Sequence, residues 1–237
     1  MIRGLKDKSD AERSVSIDTA NRVSTNTALA YDDNGNLLSD GTYQYVRNAR
    51  NQLVRVRQGR SSLVTDTYDP LVRRSTRQMA GTAPVSFVMD GMNVVGEATP
   101  GNYKQFVNGD GVDDWLSVYD GAGARHFVRD ALNSVVGTFG SGGSFSNPYT
   151  YSPFGVTSGT ASDNYAYTGR AQDLPDLYFY RARYYKPSTA RFISEDPIQL
   201  AGEMNNYNYV EGSPIGFNDP MGLVLLPGQA PVKLSRR

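Results

Sequence analysis

Residues 29–41 read LAYDDNGNLLSDG, two short apolar runs separated by a turn rich in Asp, Asn and Gly. Apolar runs of this length suit β-strands, and Asp, Asn and Gly tolerate the left-handed backbone that tight hairpin turns require. The stretch therefore predicts a β-hairpin in which Tyr31-Asp32 precedes a turn at Gly35-Asn36-Leu37.

Units of the same kind recur further along the chain. Aromatic and β-branched runs flank polar turns in YQYVRNARNQLVRVRQG (43–59), TDTYDPLVRR (65–74), VSFVMDGMNVVGEAT (85–99) and RHFVRDALNSVVGTFG (125–140). Hairpins laid side by side form one antiparallel sheet, in which each hairpin requires neighbours to bury its apolar face. We therefore predict an all-β fold with a curled sheet of hairpin repeats over residues 26–148. Because the spacing of the units is irregular, an antiparallel sheet without true repeats stays open as an alternative.

The composition argues against several classes of site. Lys plus Arg and Asp plus Glu number 24 each, so no global basic field favours nucleic acid. The chain has no cysteine, which excludes disulfides, thiolate zinc sites and a cysteine nucleophile. Its one histidine, His126, lies in an alternating strand pattern and is interpreted as an exposed strand residue. We predict no cofactor and no metal site. We also predict no membrane span, since no apolar run is long enough to cross a membrane.

Three weaker signals have alternative interpretations. The stretch NGDGVDDW (108–115) offers carboxylates for Ca²⁺ at Asp110, Asp113 and Asp114, but the closing Glu of an EF-hand is missing, and a turn is favoured. GSGGS (140–144) lacks the Lys-Ser/Thr of a phosphate loop. The 16 tyrosines suit either a platform for stacking on sugars or the paving of a sheet, which is favoured.

The second half of the chain carries motifs of a different kind. In order they are YFYRARYY (178–185), RFISEDPI (191–198), NNYNYV (205–210) and DPMGL (219–223). Together they resemble the C-terminal RHS repeat-associated core of RHS/YD-repeat proteins, and the Tyr31-Asp32 unit resembles the YD repeats themselves. Residues 1–25 carry charge and Ser/Thr with little hydrophobic periodicity, which predicts a poorly ordered lead-in. The resemblance implies YD-like hairpins at 26–148, the core at 149–223 and a short tail at 224–237.

The resemblance also implies a hollow shell and a self-cleavage. In this family many YD hairpins wind into a hollow β-shell, a partial β-cocoon in a chain of this size, and an irregular core segment plugs one end. The variable region after the final Leu, often a toxin, is cut from the core just after DPxGL. The cut is self-inflicted and depends on aspartates in the manner of an aspartyl protease. The implied partners are the rest of a longer shell, a C-terminal toxin and secretion-system components, with release from the cell through a secretion system.

Carried onto this sequence, the family's site falls on a small set of residues. The implied catalytic residues are Asp196, Asp219, Arg183 and Arg191, and the bond to be cut is Leu223–Val224. Two carboxylates that share a proton can act as base and acid on water, and a nearby arginine favours one of them in its ionised form. Without the resemblance, each Asp-Pro pair is interpreted as the start of a turn.

The sequence departs from the family pattern at three positions. Gln199 and Ala190 stand where the family usually has Gly, and Lys186 stands where it usually has Asp. A glycine permits positive φ angles that other residues adopt less easily, so Gln199 bears on the backbone path after Asp196 and on catalytic competence. Two alternatives therefore stay open: a non-catalytic structural or carbohydrate-binding β-repeat module, and an inactive, toxin-less remnant.

Overall fold

Hairpin follows hairpin along the first half of the chain. The computed structural model describes residues 16–24, 28–146, 148–159, 163–198, 205–223 and 226–227. Within them, β1 to β13 form one sheet in which the spatial order equals the chain order and every pair is antiparallel. The strands are β1 Leu29–Tyr31, β2 Leu37–Asp40, β3 Gln44–Arg47, β4 Leu53–Gln58, β5 Ser61–Tyr68, β6 Arg74–Met79, β7 Val85–Asp90, β8 Asn93–Thr99, β9 Asn102–Asn108, β10 Trp115–Asp120, β11 Gly123–Arg129, β12 Val135–Gly140 and β13 Phe145–Ser146. The predicted all-β hairpin sheet is confirmed, and it is open rather than closed on itself.

The segment after the long sheet is also built of strands. They are β14 Thr150–Tyr151, β15 Thr157–Ser158, β16 Ala171–Leu174, β17 Leu177–Tyr180, β18 Arg183–Lys186, β19 Arg191–Phe192, β20 Phe217–Asn218 and β21 Leu226–Pro227. β16 to β19 form a four-stranded sheet, while β14 pairs with β15 and β20 with β21. Short 3₁₀ turns at Tyr167–Gly169, Pro187–Thr189 and Val210–Gly212 connect these pieces.

Parts of the predicted partition lie at or beyond the limits of the described residues. Of the predicted lead-in, residues 16–24 are described, and they form a turn in which Ile17 is bridged to Val23. Residues 1–15 and 25 lie outside the described residues. Of the predicted tail, only Leu226–Pro227 is described, paired with β20.

One turn geometry recurs between the strands. In the turn after β1, the Asp32 carboxylate accepts a hydrogen bond from the Asn36 amide at 2.8 Å, and the Asp32 carbonyl accepts one from the Gly35 amide at 3.1 Å. The same two bonds form in turns whose first residues are Asp18, Asn48, Asp69, Asp130 and Ser152. The side chain of the first residue thus caps the amide four residues later. This capping explains the aspartate of the Tyr31-Asp32 motif in physical terms.

The fourth residue of each turn has a left-handed backbone conformation, and Val72 is the β-branched residue among them. Gly, Asn and Val occupy this position, with positive φ at Asn21, Gly35, Asn51, Val72, Asn133 and Gly155. A β-branched residue at φ 67° is strained, because its Cβ crowds the backbone there.

Replacing Val72 by Asn is expected to raise the free energy of unfolding by about 1 kcal/mol, because the left-handed conformation costs L-residues roughly 1–2 kcal/mol and asparagine tolerates it best. Urea unfolding followed by tyrosine fluorescence measures the change. Leu71→Asn is the control, since Leu71 is the exposed neighbour outside the left-handed position. Equal effects of the two substitutions would contradict the strain at Val72.

The four-stranded sheet is buried on both faces. Leu177, Phe179 and Tyr184 pack into the apolar core against the long sheet, where Val56 and Val118 are almost fully buried. The alternate side chains of the same strands enter a second cluster on the opposite face, made of Ala166, Tyr167, Tyr178, Tyr180, Tyr185, Phe192, Tyr209 and Val210. Burial on both faces explains why the YFYRARYY stretch is a nearly continuous aromatic run rather than an alternating one.

The tyrosines of these clusters are structural. Many of their hydroxyls are hydrogen-bonded inside the protein, as when Tyr185 donates to the Phe154 carbonyl at 2.8 Å and Tyr167 to the Pro153 carbonyl at 2.8 Å. A buried phenol requires such a partner, and its ring supplies apolar area at the same time. The structure therefore supports the interpretation that most tyrosines pave the interior.

A buried ionic network ties the four-stranded sheet to the long sheet. Arg77 of β6 contacts the Asp173 carboxylate of β16 at 2.8 Å, and Arg74 contacts its other oxygen. The Tyr184 hydroxyl lies 2.9 Å from the Asp173 carboxylate and also within hydrogen-bonding distance of Asp66 of β5. Burial opposes the ionisation of Asp173, but the two guanidinium groups outweigh it and lower the pKa of this carboxyl.

Asp66 makes the stability of the fold dependent on pH. Burial raises the pKa of Asp66 from 3.8 to about 6, although Arg74 opposes the shift. A group whose pKa is raised on folding stabilises the fold below its unfolded pKa, and this contribution is lost as the pH rises through the folded value. We expect the free energy of unfolding to increase as the pH falls from about 7 to about 5. Asp66→Asn should remove that slope in urea titrations at several pH values, and an unchanged slope would contradict the assignment to Asp66.

Candidate functional site

The DPMGL stretch repeats the turn of the hairpins. The Asp219 carboxylate accepts a hydrogen bond from the Leu223 amide at 2.9 Å, and the Asp219 carbonyl accepts one from the Gly222 amide at 3.3 Å. Gly222 occupies the left-handed position, with φ 68°. Asp219 therefore has the position that Asp32 has in the first hairpin, and its side chain sets the backbone leading to Leu223.

Gly222 also fixes where this turn docks. A Cβ atom at Gly222 would lie 2.4 Å from the Tyr180 carbonyl oxygen and 3.2 Å from the Arg183 nitrogen. Real Cβ atoms do not approach backbone so closely, so only glycine permits the contact with the turn between β17 and β18. The contact brings Asp219 and Leu223 beside Arg183.

Asp196 reaches the same place from another loop. Its carboxylate oxygen Oδ1 accepts a hydrogen bond from the Ile198 amide at 3.0 Å, which closes a short turn over Pro197. Its own amide donates to the Asn206 carbonyl at 3.0 Å, so the loop containing NNYNYV holds the backbone of Asp196. Asp196 is therefore also a turn residue, but its carboxylate points into the interior and is buried.

Arg183 joins the two aspartates. Its Nη2 atom lies 2.8 Å from Oδ2 of Asp196 and 3.5 Å from Oδ2 of Asp219, and all three side chains are buried. The other guanidinium nitrogens donate to the backbone: Nη1 to the Asn206 carbonyl at 3.0 Å, and Nε to the Gly222 carbonyl. The ring of Phe192 lies 3.7 Å from the guanidinium carbon. One buried cation thus holds both loops.

Arg183 lies between the two carboxylates of the implied aspartate pair. The site therefore presents a carboxylate, a guanidinium and a second carboxylate in contact with one another.

Arg191 lies apart from this group. Its Nη2 atom donates to the Asn21 carbonyl and to the Asn205 side-chain oxygen, the latter at 3.2 Å. Its guanidinium carbon lies 5.2 Å from the centre of the Tyr207 ring. Of the four residues implied as catalytic, the structure brings together Asp196, Asp219 and Arg183, and it places Arg191 against the first described turn.

Leu223 borders an apolar cavity of about 160 Å³. Met221, Phe87, Trp115 and Phe179 line the same cavity, so the apolar side chains of DPMGL face the core between the two sheets. Val224 and Gln199 lie outside the described residues, which leaves the second half of the implied scissile bond and one family departure without a structural account.

A second, polar cavity of about 520 Å³ lies on the other side of the site. Its walls come from the turns of the first hairpins and from the loop at 194–197, which contains Asp196. Val72, Arg181 and Ala182 line both cavities and therefore separate the apolar space at Leu223 from the polar space at Asp196.

Arg181 is a site residue that the motifs did not single out. It donates to the Pro220 carbonyl inside the DPMGL turn, and its Nη2 atom bonds the Asp113 carboxylate at 2.8 Å. Burial opposes the ionisation of Asp113, but Arg170 and Arg181 outweigh it and lower the pKa of this carboxyl. The sequence signal for it is an arginine two positions before Arg183 in the RAR stretch. In the structure Arg181 has a positive φ of 58°.

The other candidate residues from the sequence have partners within the protein. Asp114 pairs with Arg129, so two of the three carboxylates considered for Ca²⁺ contact arginines. Within the described ranges, no group of three or more metal-ligating side chains occurs. His126 is exposed on β11, as expected, with Nδ1 lying 2.7 Å from the Ser117 hydroxyl on β10. None of the described helices has the length and apolar character to cross a membrane.

The two described departures from the family pattern are accommodated locally. Ala190 adopts φ 56° at the end of a 3₁₀ turn, a left-handed position where glycine is the unstrained choice. Lys186 forms ion pairs with Asp176 at 2.7 Å and with Asp40 at 3.0 Å, which links β18 to β2. Neither residue contacts the group around Arg183 in these interactions.

Comparison with known proteins gives similarity to large bacterial proteins. The chain is 29% identical over 240 residues to the tRNA3(Ser)-specific nuclease WapA of Bacillus spizizenii, which covers 93% of this chain and 10% of the relative. It is 32% identical over 112 residues to toxin subunit YenC1 of Yersinia entomophaga, which covers 42% of this chain and 12% of the relative. The chain thus spans about a tenth of the length of these relatives. No family model matches it.

The fold has solved counterparts. The crystal structure of TcdB2-TccC3-TEV superposes with a TM-score of 0.64 at 19% identity, over 81% of this chain and 11% of the other. At that identity the likeness concerns the fold, which is a long antiparallel sheet joined to an all-β segment. This chain is therefore an all-β polypeptide, similar in sequence to a toxin subunit and a nuclease and in fold to a part of TcdB2-TccC3.

Proposed function

We propose that this chain is the C-terminal core region of an RHS-type polypeptide that encloses and delivers a toxin. The observation that carries the proposal is the DPMGL turn, in which an aspartate-capped hairpin turn docks by Gly222 against Arg183 and faces Asp196. An ordinary turn does not require a buried cation shared with a second carboxylate. The sequence similarity to a toxin subunit and to a nuclease supports the same proposal.

The long sheet would contribute part of the enclosing wall. Its hairpins follow one another in chain order, which is the arrangement expected of a repeat wall that extends hairpin by hairpin. The segment from β14 onward covers one face of this wall and would close one end of a longer shell. The proposed partners are the remainder of such a shell, a C-terminal toxin and secretion-system components.

The proposed activity of the site is one cut in its own chain, after Leu223. Hydrolysis of a peptide bond without a metal or a Ser or Cys nucleophile requires a water activated by a carboxylate. Asp196 and Asp219 supply carboxylates, and Arg183 holds them in place. Because the bond belongs to the same chain, its effective concentration at the site is high, so a modest catalyst is sufficient.

Intact-mass spectrometry of the purified chain tests the proposed cut. We expect the wild-type protein to lose residues 224–237, and Asp219→Ala and Arg183→Ala to keep them. Arg191→Ala is the matched control, since Arg191 contacts Asn21 and Asn205 rather than the aspartates, and it should be cut like wild type. A wild-type chain of full mass would contradict self-cleavage.

A further inference from the structure

We infer that the polar cavity of about 520 Å³ is a binding site for a small zwitterion, the chemistry of a free amino acid or a short peptide, and that Arg47 holds its carboxylate. This binding does not depend on the proposed self-cleavage. Its basis is a cation in the cavity wall that has no counter-ion, in a space that carboxylates also border without pairing with it.

Arg47 has hydrogen-bonding capacity that the protein does not use. It is the last residue of β3 and is partly buried, and its Nη1 and Nη2 atoms donate to the carbonyls of Asn51 at 3.0 Å and Ile193 at 3.3 Å. A guanidinium has five N–H groups, so three are left. The one on Nε is buried and has no hydrogen-bond partner among the described residues. Both neighbours of this cation are therefore neutral oxygens.

A second arginine at the same position of a turn shows what Arg47 lacks. Arg129 precedes the capping residue Asp130 as Arg47 precedes Asn48. The guanidinium of Arg129 pairs with the Asp114 carboxylate, and Arg129 borders neither of the two cavities. Arg47 borders the polar cavity instead. A carboxylate supplied by a ligand would complete for Arg47 the pairing that Asp114 completes for Arg129.

The wall around Arg47 has more donors than acceptors. Burial lowers the pKa of Arg47 to about 10, and an anion at short range would favour its charged form. Gln52 lies in the same wall, and its Nε2 donor is also buried without a partner, while its Oε1 accepts a hydrogen bond from Asn48 at 2.8 Å. A carboxylate only accepts hydrogen bonds, and it binds a guanidinium more strongly than a neutral carbonyl does.

The other charges of the cavity indicate what the rest of the ligand carries. Of the six charged side chains that line it, two pair with groups outside it, Asp196 with Arg183 and Arg181 with Asp113. The other four form no ion pair within 4.0 Å in the described part of the chain; they are Arg47, Arg50, Asp33 and Glu195. Two cations and two carboxylates thus border one space without meeting. A ligand with an ammonium group and a carboxylate satisfies both signs, whereas a plain anion would be repelled by the two carboxylates.

The remaining groups suit a small polar molecule. Asn34, Asn36, Asn51 and Ser194 line the cavity and offer both donors and acceptors. The volume falls within the roughly 300–1,000 Å³ of small-molecule sites. The cavity therefore has room for a molecule of the size of an amino acid or a short peptide.

Isothermal titration calorimetry of the full chain tests the site with glycine, 4-aminobutyrate, 6-aminohexanoate and triglycine, which differ in the separation of their charges. Butyrate and butylamine are the probes with a single charge. We expect the best zwitterion to bind at least about tenfold more tightly than either of them, because each of those has lost one charge-assisted contact. Tightest binding of one of the three amino acids identifies a free amino acid, and tightest binding of triglycine identifies a peptide.

Substitutions in the wall separate the role of Arg47 from that of the cavity as a whole. Arg47→Gln should weaken binding of the best zwitterion about 10- to 100-fold. Gln52→Glu keeps Arg47 and adds a resident carboxylate to the same wall, so it should weaken binding at least about tenfold without lowering the urea midpoint. Arg129→Gln is the matched control, at the same turn position but outside the cavity, and it should bind like wild type.

The carboxylates are tested by combining Asp33→Asn with Glu195→Gln, which should abolish the advantage of the zwitterion over butyrate. Urea midpoints show which chains are folded, and Gln52→Glu decides the matter if Arg47→Gln unfolds. Three results would overturn the inference: no binding of any zwitterion to the wild-type chain up to about 10 mM, wild-type affinity in folded Gln52→Glu or Arg47→Gln, or butyrate binding as tightly as the best zwitterion. Since none of these measurements follows cleavage, a failure of the proposed self-cleavage leaves them unchanged.

Discussion

Arg183→Ala is expected to lower the free energy of unfolding by about 3–5 kcal/mol, because it leaves two buried carboxylates without their shared cation. Arg183 contacts Asp196 at 2.8 Å and Asp219 at 3.5 Å, and it also holds the carbonyls of Gly222 and Asn206. Its loss therefore removes the interactions that join the two loops as well as the charge balance. Equilibrium urea unfolding measures the effect.

Arg191→Ala is the control for Arg183, because both arginines lie in the same four-stranded sheet. Arg191 is only partly buried and contacts neutral oxygens, so its removal should cost about 1 kcal/mol. Replacing Asp196 and Asp219 by Asn in the Arg183→Leu background should recover much of the stability, since no buried charge is then left unpaired. Equal costs for the two single alanine variants would contradict the central role of Arg183.

Asp173→Ala is expected to lower the free energy of unfolding by a similar amount, about 3–5 kcal/mol, because here buried cations lose their carboxylate. The substitution leaves the buried guanidinium groups of Arg74 and Arg77 without the carboxylate that binds both of them. Asp66 is 3.5 Å from Arg74 and compensates only in part. Because Asp173 lies in β16 and the arginines in β6, the variant should loosen the contact between the two sheets.

Asp176→Ala is the matched control for Asp173. Asp176 is three residues further along and pairs with Lys186 at 2.7 Å, but its side chain is 29% exposed, so its loss should cost less than about 1 kcal/mol. Urea unfolding gives both values, and limited proteolysis reports whether the segment from β14 onward detaches first. A loss below 1 kcal/mol for Asp173→Ala would contradict a linking role for the network.

The hairpins were predictable because their determinants are local. The Tyr31-Asp32 unit and the similar sequence units predicted the turns between β1 and β2, β3 and β4, and β11 and β12. The side chain that caps each turn lies four residues from the amide it binds, as Asp130 does for Ser134. Alternating apolar residues then decide which face of each strand enters the core.

The pairing of charges could not be predicted in the same way. Arg74 and Asp173 are 99 positions apart in the chain, and Arg170 and Asp113 are 57 apart. The Asp113 carboxylate was interpreted as a turn residue or a Ca²⁺ ligand, because nothing in the neighbouring sequence indicates Arg170, which precedes β16, or Arg181, which follows β17. Arg191 was implied as catalytic beside Arg183, yet the two side chains lie in different surroundings.

By itself, the sequence determined that this protein is a succession of antiparallel hairpins, and that DPMGL and SEDPIQL contain turns. Those features depend on residues within a few positions of one another, and backbone preferences act over that range. Only the tertiary structure decided that Asp196 borders a polar cavity and that Arg183 lies between Asp196 and Asp219. Such contacts form when separate loops pack together, and packing depends on the whole chain rather than on any one stretch of it.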